Sequence, residues 1–569
     1  MHTCNCNRCC YKSFINTKLT LQHKNVGYNL SNDPVPDNLT CLVSQEIYGT
    51  TTTIYYGAAV EPTIAVNPYD RKNIVTSWQN DRINNGGSLE AGIAYTFNGG
   101  HTWYHTVVPF QVCIGGLFQR ISDVWLSWSV SGRELYLVAL LFNVNLVGSI
   151  DQPQMAIGVS VSHDGGAHWD KPFLVAKSLF YENQLPPFPP NSFFLDKCAI
   201  TADPNNSEFA YTVWDSFDSP ISSHSSTFMS RTSDRGTTWF PPSLVYDPAA
   251  DPTLPSNGNP NDNQTIGNVV VVPPILGHVI NFMVRIYASP NATDLDYLSD
   301  SFPYQFTRSD ISFVRSRDYG ATFERIATVV ASVDPNSQTV YTGGYTYDPI
   351  TRQINGGIGV LCRTAGPFLA DFAVNKENGH LYVVWQTGEF RSDLLPQIAI
   401  AVSRDNGVTW SRPQKINQTP NDAHNPQAFT PQVAVTKSGF IVVLYSDFRF
   451  DDMADPTNNT KTDTWLVIYQ EQPGELKFIK EIRLSPTSYI MQNGPTTTQG
   501  VMTNGDYQFD VANDDQIFII HTESLSGPFS SPILIVDDPE NDAKVYLDKN
   551  LRTLPYVDIL DICQINFSC

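Results

Sequence analysis

The sequence predicts an all-β protein, a β-propeller of four-stranded antiparallel blades that carry one turn motif on their outer hairpins. Three observations predict this fold. The pattern Ser/Thr-x-Asp-x-Gly-x-Thr-Trp recurs five times, and a pair of apolar strands precedes each copy. The composition of the 569 residues, with 35 Gly, 39 Pro and 12% aromatic residues, is typical of many short strands joined by tight turns.

The recurring motif, which we call the Asp box, predicts a β-hairpin. Its Asp accepts hydrogen bonds from backbone N–H groups of the turn, its Gly adopts positive φ, and its Trp packs back over the hairpin. A decayed further copy is predicted at Gln472–Gly474. The third positions of the five clear copies are Asn98, Asp164, Asp234, Asp318 and Asp405.

The strand pairs before the boxes indicate the number of blades. Seven pairs favour seven blades, with six as the alternative, because a four-stranded unit of this length matches a propeller blade. The last unit lacks an outer strand, and we expect Ser44–Tyr56 to supply it and close the ring. The pairs begin near Pro62, Asp123, Asp196, Ile266, Asp371, Pro431 and Asp506.

Three regions follow from this pattern: a Cys-rich N-terminal segment (1–43), the propeller (44–540) and a C-terminal tail with a Cys pair (541–569). The terminal cysteines predict disulfides within or between the two ends, with metal binding as the alternative. They also offer a route to self-assembly through the N-terminus. The disulfide candidates are Cys4, Cys6, Cys9, Cys10, Cys41, Cys563 and Cys569.

Charge and hydropathy exclude several classes of protein. The net charge of −21 repels phosphate backbones, so nucleic acid is excluded as a partner. No apolar stretch is long enough to span a bilayer, and residues 1–30 contain no apolar core of an ordinary secretory signal. Cysteines without such a signal favour an extracellular or surface-exposed location reached by another route, for example on a virion surface.

Segments outside the boxes carry a family resemblance. Glu61–Pro68, Leu381–Gln386 and Gly505–Gln508, together with the boxes, resemble the sialidase-like BNR-repeat propellers, which include exo-sialidases and other glycosyl hydrolase-like proteins. The resemblance covers roughly residues 58–540. It implies a glycan-directed protein that needs no cofactor, with glycans or glycoproteins as partners.

The resemblance also implies where a sialidase would keep its reactive groups. Sialidases hold the substrate carboxylate with three arginines and use a Tyr–Glu nucleophile pair with an Asp acid/base. Their first arginine lies in an Arg-Ile-Pro motif, which this chain lacks; Glu61-Pro62 stands at the matching place. Whether the chain is an enzyme therefore stays open.

Candidate site residues lie at inner-strand starts and in the loops that follow the second strands, because ligands usually meet this end of a propeller. Asp123 or Asp81 is the candidate acid and Tyr507 the candidate nucleophile, since two carboxyl groups of which one is protonated can hydrolyse a glycoside. Arginines would hold an acidic sugar, and the acidic ring could hold a structural Ca²⁺ ion. The alternative is that these groups only cap the backbone and line a water-filled channel. The candidate ligand-binding residues are Glu61, Arg82, Asp196, Arg363, Asp371, Arg391, Asp447, Arg449 and Asp506.

Three functions are compatible with these observations. The first is a sialidase-like propeller directed at glycans on a surface, acting as a glycoside hydrolase on acidic sugars. The second is a non-catalytic propeller that binds glycans or proteins. The third is a structural component of a surface or virion layer, anchored by the Cys-rich N-terminus.

Overall fold

A computed structural model describes most of the chain between residues 51 and 561, with gaps. The described residues contain no α-helix, and therefore no helix long and apolar enough to cross a bilayer. The described ranges are 23–27, 51–143, 153–179, 192–218, 224–254, 263–287, 308–333, 345–348, 353–356, 369–452, 460–497, 500–501, 505–514, 516–525, 533–538, 543–548 and 552–561.

Seven antiparallel sets of four main strands make up most of the described fold. We call these sets sheets and number them in chain order, with strands given from the innermost outward; sheets 1 and 2 are joined by the pairing of Ser88 with Ile121. Sheet 1 contains Thr51–Val66, Ile74–Ile83, Ser88–Thr96 and Tyr104–Thr106. Sheet 2 contains Arg120–Trp128, Leu135–Phe142, Met155–Ser162 and Phe173–Ser178. Sheet 3 contains Phe194–Ala202, Ala210–Phe217, Ser225–Thr232 and Ser243–Tyr246. Sheet 4 contains Gln264–Val271, Val279–Tyr287, Arg308–Ser316 and Thr328–Val333.

The remaining three sheets follow the same order. Sheet 5 contains Asp371–Val374, Leu381–Thr387, Gln397–Ser403 and Gln414–Lys415. Sheet 6 contains Ala428–Val435, Phe440–Asp447, Lys461–Gln472 and Glu475–Arg483, and Tyr489–Ile490 also pairs with its third strand. Sheet 7 contains Phe509–Asn513, Gln516–Ser524, Thr553–Asp561 and Lys24–Asn25. Short pairs outside these sets are Tyr345–Asp348 with Gln353–Gly356, Thr496–Thr497 with Gly500–Val501, and Ile533–Asp538 with Ala543–Asp548.

The innermost strands form a closed cycle. Each contacts the innermost strands of the sheets on either side, and that of sheet 7 contacts that of sheet 1. The predicted all-β propeller is therefore confirmed.

The ring closes differently from the predicted way. The two outer strands of sheet 7 are Thr553–Asp561 and Lys24–Asn25, which lie in the segments assigned above to the C-terminal tail and to the Cys-rich N-terminus. The described part of Ser44–Tyr56 instead begins the long inner strand of sheet 1, where it pairs in parallel with Ala543–Asp548. Thr553–Asp561 suits the closing position because most of its residues, on both faces of the strand, are buried.

Apolar side chains fill the spaces between neighbouring sheets. Ile157 and Val159 of sheet 2, for example, pack with Ile200 and Trp214 of sheet 3. Because neighbouring sheets cover both faces, a second strand such as Leu135–Phe142 is apolar almost throughout.

A bulge interrupts most of the inner strands and turns polar side chains toward the axis. The strand pairing shifts register next to Glu61, Asp123 and Lys197, and each of these residues has positive φ (52°, 48° and 48°). Thr430 of sheet 6 and Gly267 of sheet 4 occupy the equivalent position (φ 50° and 69°). A bulge re-aims the side chain it carries, so one residue per strand leaves the regular alternation.

The Asp-box hairpins join the third and fourth strands of sheets 1 to 5. In the fourth copy, Asp318 Oδ1 accepts the Thr322 N–H (2.9 Å) and the Ser316 hydroxyl (2.7 Å), and Ser316 Oγ accepts the Gly320 N–H (2.8 Å). The same three contacts recur at Asn98, Asp164, Asp234 and Asp405. The predicted decayed copy at Gln472–Gly474 is the corresponding turn of sheet 6, with Gly474 at φ 87°.

Candidate functional site

Four charged side chains meet at the centre of the ring, and we call them the axial cluster: Glu61, Asp123, Lys197 and Asp506. The first three occupy the inner-strand bulges of sheets 1, 2 and 3, and Asp506 precedes the inner strand of sheet 7. Four neighbouring sheets therefore contribute one group each.

The Lys197 ammonium lies between two of these carboxylates. Its Nζ is 2.5 Å from Asp506 Oδ2 and 3.4 Å from Asp123 Oδ1, and the three side chains are 11%, 2% and 3% exposed. Burial lowers the pKa of Lys197, but the carboxylates of Asp123, Asp506 and Glu61 outweigh it and raise the pKa well above its usual value. The ammonium is therefore held charged, and a Ca²⁺ ion at this ring would have to share the site with it.

Glu61 completes the cluster through neutral hydrogen-bond partners. Its Oε1 accepts the Asp506 N–H (3.1 Å), its Oε2 accepts the Gln79 amide, and Arg82 Nη1 donates to Gln79 Oε1 (2.6 Å). Burial raises the pKa of Glu61 to about 7, against the opposing effect of Lys197. At neutral pH both the protonated and the ionised forms of this carboxyl group are populated.

The other two predicted catalytic residues have different surroundings. Asp81 Oδ1 accepts the Gly57 N–H (2.6 Å), so this carboxylate bonds the backbone at an irregularity within the inner strand of sheet 1. The Tyr507 hydroxyl donates to the Val124 carbonyl (3.2 Å), and its ring lies against Trp125 at 5.6 Å between centroids. Burial raises the pKa of Tyr507 well above its usual value. Among the three candidates, Asp123 alone belongs to the axial cluster.

A second charged group lies at the end of sheet 6. Arg449 donates from Nε to Asp447 Oδ2 (2.6 Å) and from Nη1 to Glu481 Oε2 (2.8 Å), and its guanidinium stacks 3.6 Å from the Trp465 ring centre. Asp447 also accepts the Trp465 indole N–H (2.9 Å), and burial raises its pKa to about 6. These contacts hold the guanidinium at its edge and on one face, so Arg449 cross-links residues of its own sheet.

The arginines predicted to hold an acidic sugar are paired separately. Arg391 makes a two-pronged contact with Asp393 (2.8 and 2.6 Å) and donates to the Asn421 carbonyl (3.0 Å). Arg82 bonds Gln79 near the axis, whereas Arg449 bonds the carboxylates of sheet 6. These three arginines do not share a partner that would mark one carboxylate-binding space. Arg363 lies outside the described residues.

The remaining predicted acids lie along the inner strands. Asp196 Oδ1 accepts the Lys197 N–H (3.0 Å), which fixes the bulge of sheet 3. Asp371 Oδ2 accepts the Val433 N–H (2.7 Å) and so ties sheet 5 to sheet 6, and burial raises its pKa to about 7.

A cavity of about 430 Å³ lies beside the end of the second strand of sheet 6. It is lined by Ala423, His424, Arg449, Phe450, Asp451, Asp452 and Lys461. The cavity adjoins the braced Arg449 and none of the axial cluster.

The predicted disulfide candidates lie outside the described residues. Cys198, which follows Lys197, is a free buried thiol that donates to the Asp123 carbonyl (3.2 Å). Burial raises its pKa well above the usual value, so it stays protonated and inert.

Lys197, which lies at the centre of the axial cluster, is not among the candidate site residues predicted from the sequence. Sequence reasoning also missed Gln79, which links Glu61 to Arg82. The sequence signal that could have identified Lys197 is its place beside Asp196, since two charged residues stand next to each other at the start of an inner strand.

The fold and the axial cluster together define a β-propeller whose centre is buried and predominantly acidic. No protein-family model and no curated protein matches the chain. Similar solved structures include the α-L-arabinanase of Penicillium chrysogenum complexed with arabinobiose (10% identity, TM-score 0.40, covering 78% of this chain and 94% of that chain). A Hadza microbial sialidase (12%, 0.40, 87% and 78%) and the Trypanosoma rangeli sialidase in complex with the inhibitor DANA (12%, 0.33, 71% and 56%) are also similar. Identities and TM-scores this low carry no inference about activity.

Proposed function

We propose that the protein is a glycan-directed β-propeller that acts as a glycoside hydrolase at the axial cluster. The observation that carries this proposal is the left-handed backbone of Glu61, Asp123 and Lys197, three charged residues aimed at one point from neighbouring strands. A non-glycine residue with positive φ costs about 1–3 kcal/mol, and such strain concentrates at functional sites. Thr430 and Gly267 have the same backbone at the equivalent bulges, so the charge of the three side chains, and not the bulge alone, supports a site here.

The chemistry of the cluster supports the hydrolytic role. Glycoside hydrolysis needs one carboxyl group that donates a proton and a second that acts as an anion. Glu61, with its pKa near 7, is the proton donor in this proposal. Asp123 and Asp506 share the Lys197 ammonium, so their oxygens are only a few ångströms apart, and either supplies the anion.

The charge balance favours a neutral sugar over an acidic one. Four sheets contribute three carboxyl groups and a single ammonium to the cluster, which leaves it net negative whether Glu61 is protonated or ionised. Of the arginines predicted to attract an anionic sugar, the three that the structure describes, Arg82, Arg391 and Arg449, bond protein carboxylates or amides. A surface-exposed location, where glycans are accessible, belongs to the same proposal.

A panel of chromogenic aryl glycosides tests the proposal, with neutral pentosides and hexosides beside a sialoside. We expect turnover of a neutral glycoside by the wild type and loss of at least about 100-fold in kcat for Glu61→Gln, because a general acid contributes this much. Glu377→Gln, at an exposed position of sheet 5, is the matched control and should retain full activity.

Two results would count against this function. Turnover that survives in Glu61→Gln would remove Glu61 from the reaction. Saturable glycan binding without turnover on any substrate would replace the hydrolase by the non-catalytic binding propeller, and calorimetric titration with the same sugars measures it.

A further inference from the structure

A second polar cluster lies far from the axis, on one face of sheet 7. Its members are His23, His521, Glu523 and Asp558. The register places them together: His521 is opposite Tyr556, so residues 521, 523, 556 and 558 share a face, and Lys24 opposite Val557 brings His23 beside Asp558. The same face continues into the apolar layer with Ile517, Ile519 and Leu560.

One carboxylate holds both imidazole rings of this cluster. Asp558 Oδ2 lies 3.0 Å from His521 Nε2, and Asp558 Oδ1 lies 3.2 Å from His23 Nδ1. A carboxylate only accepts, so each ring donates its N–H to Asp558. Tyr556 stacks on His23 at 4.4 Å and fixes the plane of that ring.

The opposite edges of the two rings face a common point. His521 Nδ1 lies 3.9 Å and His23 Nε2 lies 4.0 Å from Glu523 Oε1. His521 Nδ1 and Glu523 Oε1 are buried and make no hydrogen bond within the described part of the chain. His521 is 0% exposed and Glu523 is 9% exposed. Two buried polar atoms, His521 Nδ1 and Glu523 Oε1, thus lack a partner among the described residues at a place that His23 Nε2 also faces, and burial of unpaired polar atoms is unfavourable.

We propose that this cluster is a site for a divalent transition metal ion of the Zn²⁺ type. The ligands are His521 Nδ1, His23 Nε2 and Glu523 Oε1. Separations of 3.9 and 4.0 Å are too long for hydrogen bonds. Ligands that lie about 2 Å from a tetrahedral ion are about 3.3 Å apart, so binding would draw Glu523 and the two rings roughly 0.6 Å closer together. Imidazole with carboxylate is a donor set for Zn²⁺ or Fe²⁺ and not for Ca²⁺.

Asp558 is the positioning residue of the site. A ligating histidine usually donates its other N–H to a carboxylate, which fixes the tautomer and the ring orientation, and Asp558 does this for two rings at once. Among the described residues, one group of metal-binding residue types has ligand atoms within 4.8 Å of one another. It consists of His23, His521 and Asp558, so it contains both proposed histidine ligands and the positioning carboxylate but not Glu523.

The site would fasten the ends of the chain. His23 directly precedes the outermost strand of sheet 7, whereas His521 and Asp558 lie on the second and third strands. A bound ion would join these three strands across the closing sheet and stabilise the ring.

Metal titration of the full-length protein after dialysis against a chelator tests the proposal. We expect one equivalent of Zn²⁺ by calorimetry, visible d–d absorption on addition of Co²⁺, no binding of Ca²⁺, and a higher unfolding temperature with Zn²⁺. His521→Gln should weaken Zn²⁺ affinity by more than about 100-fold, and Asp558→Asn by about 10–100-fold. His23→Gln, on the outermost strand, tests a ligand without disturbing the core.

His224→Gln is the matched control. His224 is also buried and lies 2.8 Å from Asp218 and 3.1 Å from Asp247, but it has no second histidine. Wild-type Zn²⁺ affinity in His224→Gln together with weakened affinity in His23→Gln supports the site. Absence of Zn²⁺ binding in the wild type, or equal binding by wild type and His23→Gln, would overturn the metal site and leave a cluster held together by hydrogen bonds alone.

Discussion

Asp371→Asn should stabilise the protein at alkaline pH and change little at acidic pH. Asp371 begins the inner strand of sheet 5, is 8% exposed and accepts the Val433 N–H at 2.7 Å. Burial raises the pKa of its carboxyl group from 3.8 to about 7, although the hydrogen bond from Val433 opposes this. Asparagine keeps an acceptor for the same hydrogen bond but carries no charge to bury.

The sign follows from proton binding. Between about pH 4 and pH 7 the folded state holds a proton on Asp371 that the unfolded chain has released. The contribution of this group to stability is therefore fully present below pH 4 and is lost as the pH rises to 7. The difference between a pKa of about 7 and one of 3.8 corresponds to on the order of 4 kcal/mol, which is the upper limit of the effect.

Urea denaturation followed by tryptophan fluorescence at pH 4, 6 and 8 measures the effect. We expect the variant to match the wild type within about 1 kcal/mol at pH 4 and to exceed it by about 2–4 kcal/mol at pH 8, with an unchanged slope against urea. Asp422→Asn, at an exposed loop position, is the control and should show no such pH dependence. A wild-type-to-variant difference that is the same at pH 4 and pH 8 would refute a buried, raised carboxyl group.

Three further substitutions probe other parts of the fold. Lys197→Met leaves buried carboxylates without their cation and should lower the free energy of unfolding by about 3–5 kcal/mol. Lys437→Met removes one side of an exposed ion pair and should lower it by less than about 1 kcal/mol. Equal losses in urea denaturation would contradict the ion-pair account. Arg285→Met breaks a buried two-pronged contact with Asp310 (2.9 and 3.0 Å) and should cost about 3–5 kcal/mol, with little recovery in Arg285→Lys by calorimetry. Asp318→Ala should lower the unfolding midpoint at neutral pH. The loss should vanish as the pH falls toward 2, because hydrogen bonds from Thr322 and Ser316 outweigh burial and hold the pKa of Asp318 at about 2; a loss independent of pH would contradict this.

The sequence alone was sufficient for the Asp-box hairpins, the strand pairs and the propeller that they build. In the box at Asp318, every hydrogen bond links residues at most four positions apart, so residue types within eight positions determine the turn. Even here the tertiary structure adds a reason for Gly320: a Cβ atom there would lie only 3.1 Å from Met229 Sδ of the preceding sheet.

Only the tertiary structure decided the functional clusters and the closure of the ring. Glu61 meets Asp506 across 445 positions of sequence, and His23 meets Asp558 across 535. A bulge shifts side-chain alternation by one residue, so periodicity could not show that Lys197 points to the axis between carboxylates. The opposite outcome is seen at Arg449. Its residue type suggested ligand binding, whereas the fold supplies Asp447 and Glu481 as its partners. Residue type is fixed by the sequence, but the free or paired state of a charge depends on which distant strands the fold places beside it.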